Sequence, residues 1–436
     1  MVRKRVSGSD RKRWTPTSEC EQEKMTCRIT KFLFFKNSCS QQQHILLRNF
    51  WPKIPVQKPR IGVMKLVPKV HKLKGPISLD SWKQLKSRPI RGAENDPIKD
   101  PSKALYGLLQ EMLGKFKTVF PKLDNDQIEH FTVLKGCDDN TKRLSFLKLD
   151  KQKSSQTILI TADFSDAYTE TDIEHLKESL RTVGLLVKYE DHHITLLEKL
   201  VDLVFLNCYF YTPNGLYRQT KGMPMGDYSS RDSLDVELTR SEYFIINSIM
   251  NLSLKIHLFC RLVDDISLIV QGQFSEIPNV LEIMASKFPK KMPLNCQISS
   301  GYSRFLDLHI LNMHNSSHNL HYNLVHTLAY KDTSTFNYTP ASSNVHPRYK
   351  HAVVPISLHR IQRCTFQNDI DHHLSFMSSL LLCRNQDSSE VKKRTHRFFK
   401  NKMKSSNSRL LLLRKTTSIK FDEVSGRHLF IHKQVD

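Results

Sequence analysis

Hydrophobic positions along the chain fall into short blocks whose period switches between two and three-to-four, which predicts interleaved strands and helices. Thr157–Ala162 (TILITA) is apolar, β-branched and of strand length, so a buried strand is expected there. Ile173, Leu176, Leu180 and Val183 recur at helical spacing and predict a helix over 172–184, with a second, more apolar helix over 194–205. Asn207–Tyr211 and Leu216–Gln219 flank Pro213-Asn214-Gly215, a hairpin signal. Residues 229–250 predict a long helix. His257–Cys260 and Val263–Val270 then read as two strands joined across Asp264-Asp265. Strand signal thins in the C-terminal third. Residues 1–60 are basic and polar apart from an apolar island at Phe32–Phe35, and read as a loosely ordered extension. There is no internal repeat and no low-complexity tract.

Composition narrows the partners. The 436 residues are 39% hydrophobic, enough to build a core shared by two or three subdomains. Lysine and arginine total 66 against 43 acids, a formal charge of +23 that favours a polyanion. The clusters Arg3-Lys4-Arg5 and Arg11-Lys12-Arg13 fit a nuclear address or a nucleic-acid-binding arm; a solvated tail is the competing reading. Lys392–Lys404 is basic with interleaved aromatics and suits a nucleic-acid face, against the alternative of a simple solvated helix. The 9 cysteines form no C-x-x-C pair and no zinc-finger spacing, which reads as reduced thiols inside a cell. No secretory leader and no membrane-length apolar run is expected.

Candidate chemistry sits on two strand ends. Asp163-Phe-Ser-Asp166-Ala167-Tyr168 closes the first apolar strand, and Asp264-Asp265 interrupts the later pair. Hard divalent cations take carboxylate oxygens, and nucleotidyl transfer uses two such ions. A strand-end Asp and an Asp pair in a tight turn can converge on one site from neighbouring strands. An Asp pair in apolar surroundings is costly without a cation. Asp138-Asp139 is expected in a polar loop and reads as merely solvated. Between the two signals lies Gln219-Thr-Lys-Gly222-Met-Pro-Met-Gly226, whose glycines would let backbone approach a base pair or a substrate; a plain strand-to-helix turn is the bland alternative.

In order, these segments resemble motifs A, B and C of reverse transcriptases, and more narrowly those of Penelope-like elements, which are related to telomerase. The matching pieces are Leu66-Val-Pro-Lys69-Val-His71-Lys72, Arg88-Pro89-Ile90, the strand ending in Asp163, and Gln219, Gly222, Met225 and Gly226 for Q-x-x-G-x-x-M-G. Val263-Asp264-Asp265 and Phe305-Leu306-Asp307 follow, then Tyr330, Lys331, Thr333, Tyr338, Ser343, His346, Pro347 and Lys350. The resemblance covers roughly residues 61–364, and its specificity lies in the shared order of the pieces.

The resemblance implies an α+β right-hand polymerase fold: fingers at 61–155, a palm at 156–310 with an antiparallel sheet backed by helices, and a thumb with the basic segment at 311–436. It implies an RNA-directed DNA polymerase that extends a DNA primer with dNTPs on an RNA template, without a membrane and in the nucleus. Asp163, Asp264 and Asp265 match the carboxylates that hold two Mg²⁺, for which Mn²⁺ can substitute. Tyr168 matches the steric gate against a 2′-hydroxyl. Asp166 and Ala167 line the triphosphate pocket through backbone N–H groups, and Lys69 and Arg88 hold the triphosphate. Gln219 and Gly222 lie near the templating base, and Phe305, Leu306 and Asp307 form the primer grip, with palm core the alternative for Phe305 and Leu306. Two departures stand out. Leu262 replaces the usual aromatic residue before Val263, and no GIY-YIG endonuclease motif is present, so either an existing 3′ end is expected to prime synthesis or the chain is a truncated copy. Another template-dependent polymerase and a catalytically inactive or domesticated nucleic-acid-binding descendant are the rival readings.

Overall fold

The computed structural model describes residues 14–16, 39–50, 61–68, 87–92, 94–119, 131–134, 136–147, 149, 157–312, 324–329, 342–344, 346–365 and 367–403. Lys69 and His71-Lys72, the two N-terminal basic clusters, Phe32–Phe35 and Tyr330, Lys331, Thr333 and Tyr338 lie outside the described residues. The chain divides into two compact units, residues 1–305 and 306–436.

In the first unit, strand β1 (Trp14–Pro16) and helix α1 (Gln41–Phe50) precede a two-stranded hairpin, β2 (Met64–Pro68) and β3 (Ser87–Arg91). Helix α2 (Lys99–Phe116), strand β4 (Phe131–Val133) and helix α3 (Cys137–Phe146) lead to β5 (Thr157–Phe164). After it come a single turn of helix, α4 (Ala167–Glu170), then α5 (Ile173–Leu186), α6 (Asp191–Phe205) and the hairpin β6 (Tyr209–Thr212) and β7 (Gly215–Gln219). The long helix α7 (Ser230–Ile249) follows. Next are β8 (Lys255–Leu262), β9 (Asp265–Gln271), α8 (Ile277–Lys287), β10 (Leu294–Ser299) and β11 (Tyr302–Phe305). The expected strands and helices between 157 and 271 are all present, with ends shifted by a few residues.

The central sheet has the order β10-β5-β9-β8-β4. It is antiparallel except at its edge, where β4 runs parallel to β8. Alternate residues of the strands face the helices: Ile158, Ile160, Ala162 and Phe164 from β5, and Ile266, Leu268 and Val270 from β9. These meet Leu105, Leu109 and Met112 of α2, Leu176, Leu180 and Val183 of α5, and Leu197, Leu200 and Val204 of α6. Helix α5 starts cleanly because the Asp172 carboxylate accepts the Glu174 N–H.

Helix α7 is of another kind. It is buried nearly all round, yet it carries Asp232, Asp235, Glu237 and Glu242 among its buried residues. A buried carboxylate needs a partner. Gln110 donates to Asp232, His175 meets Glu237 at 2.8 Å, and Arg261 serves both Asp235 and Glu242.

The second unit holds β12 (Leu308–Asn312) paired antiparallel with β13 (Leu324–Leu328), and helices α9 (Pro347–Ile361), α10 (Gln367–Cys383) and α11 (Ser388–Met403). Val391 and Thr395 are buried and Phe398 lies edge-on against His359, while Lys392, Lys393, His396 and Arg397 are exposed. The basic face is therefore outside, and Phe398, one of its interleaved aromatics, packs inward on α9.

Candidate active site

Asp163 stands directly opposite Asp265 in the β5–β9 pairing. The Phe164 N–H donates to Asp264 O at 3.3 Å, so 164 and 264 form a hydrogen-bonded rung. The next rung, 163 with 265, is then of the non-hydrogen-bonded kind, in which facing side chains approach most closely. Both carboxylates project from the face opposite Phe164 and Ile266, away from the helical core. Asp264 occupies the turn between β8 and β9, beside Val263, whose φ is 58°. Asp163 is exposed and the pair 264–265 half-buried. The sheet thus brings all three candidate carboxylates to one strand end.

A pair of Mg²⁺ ions fits this donor set, since all three groups are hard oxygen ligands at one accessible edge. Among the described residues, however, no three His, Cys, Asp or Glu side chains are gathered closely enough to form a metal cluster. The backbone placement suits the ions; the side chains are not drawn together around a common point.

Immediately past β5 the chain turns through Asp166, at φ 59°, into α4. Asp166 is exposed, and its carbonyl accepts the N–H groups of Thr169 and Glu170; Ala167 is buried. Tyr168 is half-buried against the helical core. Burial, then the charges of Asp235 and Asp264, push its phenol up to about 12, opposed by Arg231 and Arg261. Its hydroxyl therefore lies within electrostatic reach of the turn carboxylate.

The glycine loop is clasped by the protein's own backbone. Met223 N–H donates to Tyr168 O at 2.7 Å, and Arg91 N–H donates to Met225 O at 2.9 Å. A Cβ on Gly222 would stand 2.7 Å from Thr169 Cα, and one on Gly226 would stand 2.5 Å from Arg91 O. The close approach that these glycines permit within the protein is to α4 and β3. The Gln219 amide donates to Lys221 O at 3.0 Å and accepts from the Cys208 thiol. Arg88 is exposed on β3. Phe305 is buried at the end of the first unit; in the second, Leu306 takes φ 57° and the Asp307 carboxylate is held by Arg360 at 3.1 Å and Arg363 at 2.6 Å.

Two buried cations escaped the sequence reading. Arg91 ties β3 to the end of the glycine loop: it pairs with Asp96, lies 3.6 Å from Asp227, and donates to Tyr209 O at 2.9 Å. Arg261, fully buried, ties β8 to α7, at 2.5 Å from both Asp235 and Glu242. Burial by itself would lower the Arg261 guanidinium, but Glu242 and Asp235 outweigh it and hold it above its ordinary value. An Arg inside an apolar strand gives little signal, because its partners lie 19 and 26 residues away.

No family model matches the chain, and no curated protein matches it. Among solved structures, it is similar to the RNA-dependent RNA polymerase of a human picobirnavirus, at TM-score 0.50 and 11% identity over 78% of this chain and 58% of that one. It also matches the apo telomerase of Candida tropicalis, at TM-score 0.44 and 12% identity over 80% and 61%. The RNA-dependent RNA polymerase of BmCPV matches at TM-score 0.44 and 13% identity over 79% and 27%. The chain thus spans about three-fifths of the length of the first two. The mixed architecture, a palm-like antiparallel sheet backed by helices, is the fold it shares with the picobirnavirus polymerase.

Proposed function

We propose that this chain is an RNA-directed DNA polymerase of the Penelope-like kind, extending a DNA primer with dNTPs on an RNA template in the nucleus. The observation that carries the reading is the rung of Asp163 and Asp265 with Asp264 in the adjoining turn. Asp163, Asp264 and Asp265 would hold the two ions, which when bound would lower the pKa of the primer 3′-hydroxyl and neutralise the triphosphate. The chain's own part is positioning and charge. Asp166 and Ala167 present backbone N–H groups to the triphosphate. Lys69 and Arg88 supply cations to it, Arg88 from an exposed strand position. Tyr168, whose phenol feels the charge of Asp264, would meet a ribose 2′-hydroxyl with its ring and so select dNTPs. The motif order along the chain supports the Penelope-like assignment over an RNA-synthesising enzyme.

A second reading, a domesticated nucleic-acid-binding descendant without catalysis, draws on the ungathered carboxylates and on Leu262. One experiment separates them. Wild type, Asp264→Asn/Asp265→Asn and Tyr168→Ala are assayed for extension on a primed homopolymer RNA with dNTPs or NTPs. The proposal expects extension by wild type and none by the double variant, which should still bind primer–template. It expects Tyr168→Ala to admit ribonucleotides, with dNTP incorporation reduced less than selectivity. Undiminished extension by the double variant sinks the site assignment. A folded Tyr168→Ala that rejects ribonucleotides as well as wild type sinks the gate.

A further inference from the structure

We infer that Arg261 is a positioning residue that sets the backbone of the Val263–Asp264 turn from helix α7; this rests on the reading that the turn carries reactive carboxylates. The Arg261 guanidinium has five N–H donors, and each has a partner. Nε donates to Glu242 Oε1 and Nη1 to Asp235 Oδ1, both at 2.5 Å. Nη2 reaches Thr239 Oγ1 at 3.1 Å, Asp235 O at 3.4 Å and Glu242 Oε2 at 3.4 Å. The remaining bond leaves the helix: Nη1 donates to Val263 O at 2.8 Å.

Three features give that bond its role. Asp235, Thr239 and Glu242 are spaced so as to share one face of α7, which makes them a fixed anchor. Val263 is β-branched and sits at φ 58°, a conformation such a residue avoids unless held. On its other side the turn is held by Phe164 N–H donating to Asp264 O. The turn is therefore clasped between β5 and a buried cation on a rigid helix. The same helix begins where the glycine loop ends, and that loop bonds Tyr168 O through Met223 N–H. Arg261 thereby ties the Val263–Asp264 turn to the same element whose preceding loop holds the Tyr168 segment. Lysine cannot replace it, because one ammonium cannot span two carboxylates and a carbonyl.

Arg261→Lys is compared with Glu242→Gln in the full chain. The second variant weakens the same buried network without touching the turn. Melting temperature, single-turnover dNTP extension and amide hydrogen exchange over residues 261–266 are measured on each. Arg261→Lys is expected to lower kcat on the order of 100-fold, the cost of misplacing a reacting group by about 1 Å, with the KM for dNTP little changed, and to speed exchange in the turn about tenfold or more. Glu242→Gln, at a comparable loss of melting temperature, should do neither. Equal losses of kcat and equal exchange in the two variants would reduce Arg261 to a stability residue and overturn the inference. Should Arg261→Lys fail to fold, native-state exchange of the wild type decides. Peptides 261–266 and 235–242 opening with one denaturant dependence support the clasp, and independent opening refutes it. Asp264→Asn is run alongside. If it extends primers normally, the catalytic reading fails, while the exchange data still judge the clasp.

Discussion

At the scale of single residues, glycine separates position from purpose. Gly222 takes φ 74°, and a Cβ there would sit 2.7 Å from Thr169 Cα, Thr169 O and Tyr168 O, all backbone atoms that cannot swing aside. Gly114, exposed in α2, has nothing within 4 Å of its missing Cβ. Gly222→Ala should therefore destabilise by about 2 kcal/mol or more, the sum of left-handed strain and a backbone clash. Gly114→Ala should stabilise by about 0.5–1 kcal/mol, through helix propensity and a smaller unfolded-state entropy. Urea denaturation of the two variants checks both signs. Equal behaviour would mean that the loop is not seated on α4. The same contrast shows what was legible in the sequence. The glycine spacing and the Asp163 and Asp264-Asp265 signals are local and could be read. What Gly222 touches, and which carboxylates answer Arg261, depends on residues brought together from 19 to 54 positions apart, and no local pattern encodes that.

At the scale of elements, period and burial predicted β5, β8, β9 and the helices 173–186 and 191–205, because each buries one ordinary apolar face. The edge strand β4 left no comparable signal, since three residues pairing parallel to β8 are too short for a period. Helix α7 was legible as a helix but not as a buried one, for its sequence is polar and its burial rests on paired charge. That gives it an unusual pH dependence. Asp232 is 3% exposed; burial pushes its carboxyl up to about 6, against the Gln110 hydrogen bond, with Asp235 adding to the rise. A carboxyl raised in the folded state favours folding below its ordinary value of about 4, and that favour is lost as pH climbs through 6. His175 acts in the same direction at higher pH, because its hydrogen bond to Glu237 raises it. Asp232→Asn keeps the Gln110 contact geometry without the charge. Its stability relative to wild type should rise between pH 4 and 6 and level above, by roughly 1–3 kcal/mol. Urea midpoints at four pH values test this, and a constant difference across the range would show that Asp232 is not the group concerned.

At the scale of the molecule, the +23 charge is the strongest single indication of partner. The first compact unit ends at Phe305, while the palm that the resemblance implies runs to 310. The turn at Leu306–Asp307 explains the difference, since Asp307 is bound by Arg360 and Arg363 of the second unit. Within that unit α11 turns Val391 and Thr395 inward and leaves the cationic side chains of Lys392, Lys393 and Arg397 exposed. A phosphate backbone is the partner such a face suits, and counterion release makes the idea quantitative. If about six phosphates are contacted in all, affinity for an RNA–DNA hybrid should fall on the order of 10³-fold between 50 and 200 mM salt. Replacing Lys392, Lys393 and Arg397 by Gln removes at most three of those contacts, and should flatten the slope of log K against log salt by up to about 2.7. Fluorescence anisotropy over a salt series reads both quantities. A steep wild-type slope that the triple variant leaves unchanged would place the contacts elsewhere and make α11 a solvated helix. A flat wild-type slope would mean that the excess charge serves something other than nucleic acid.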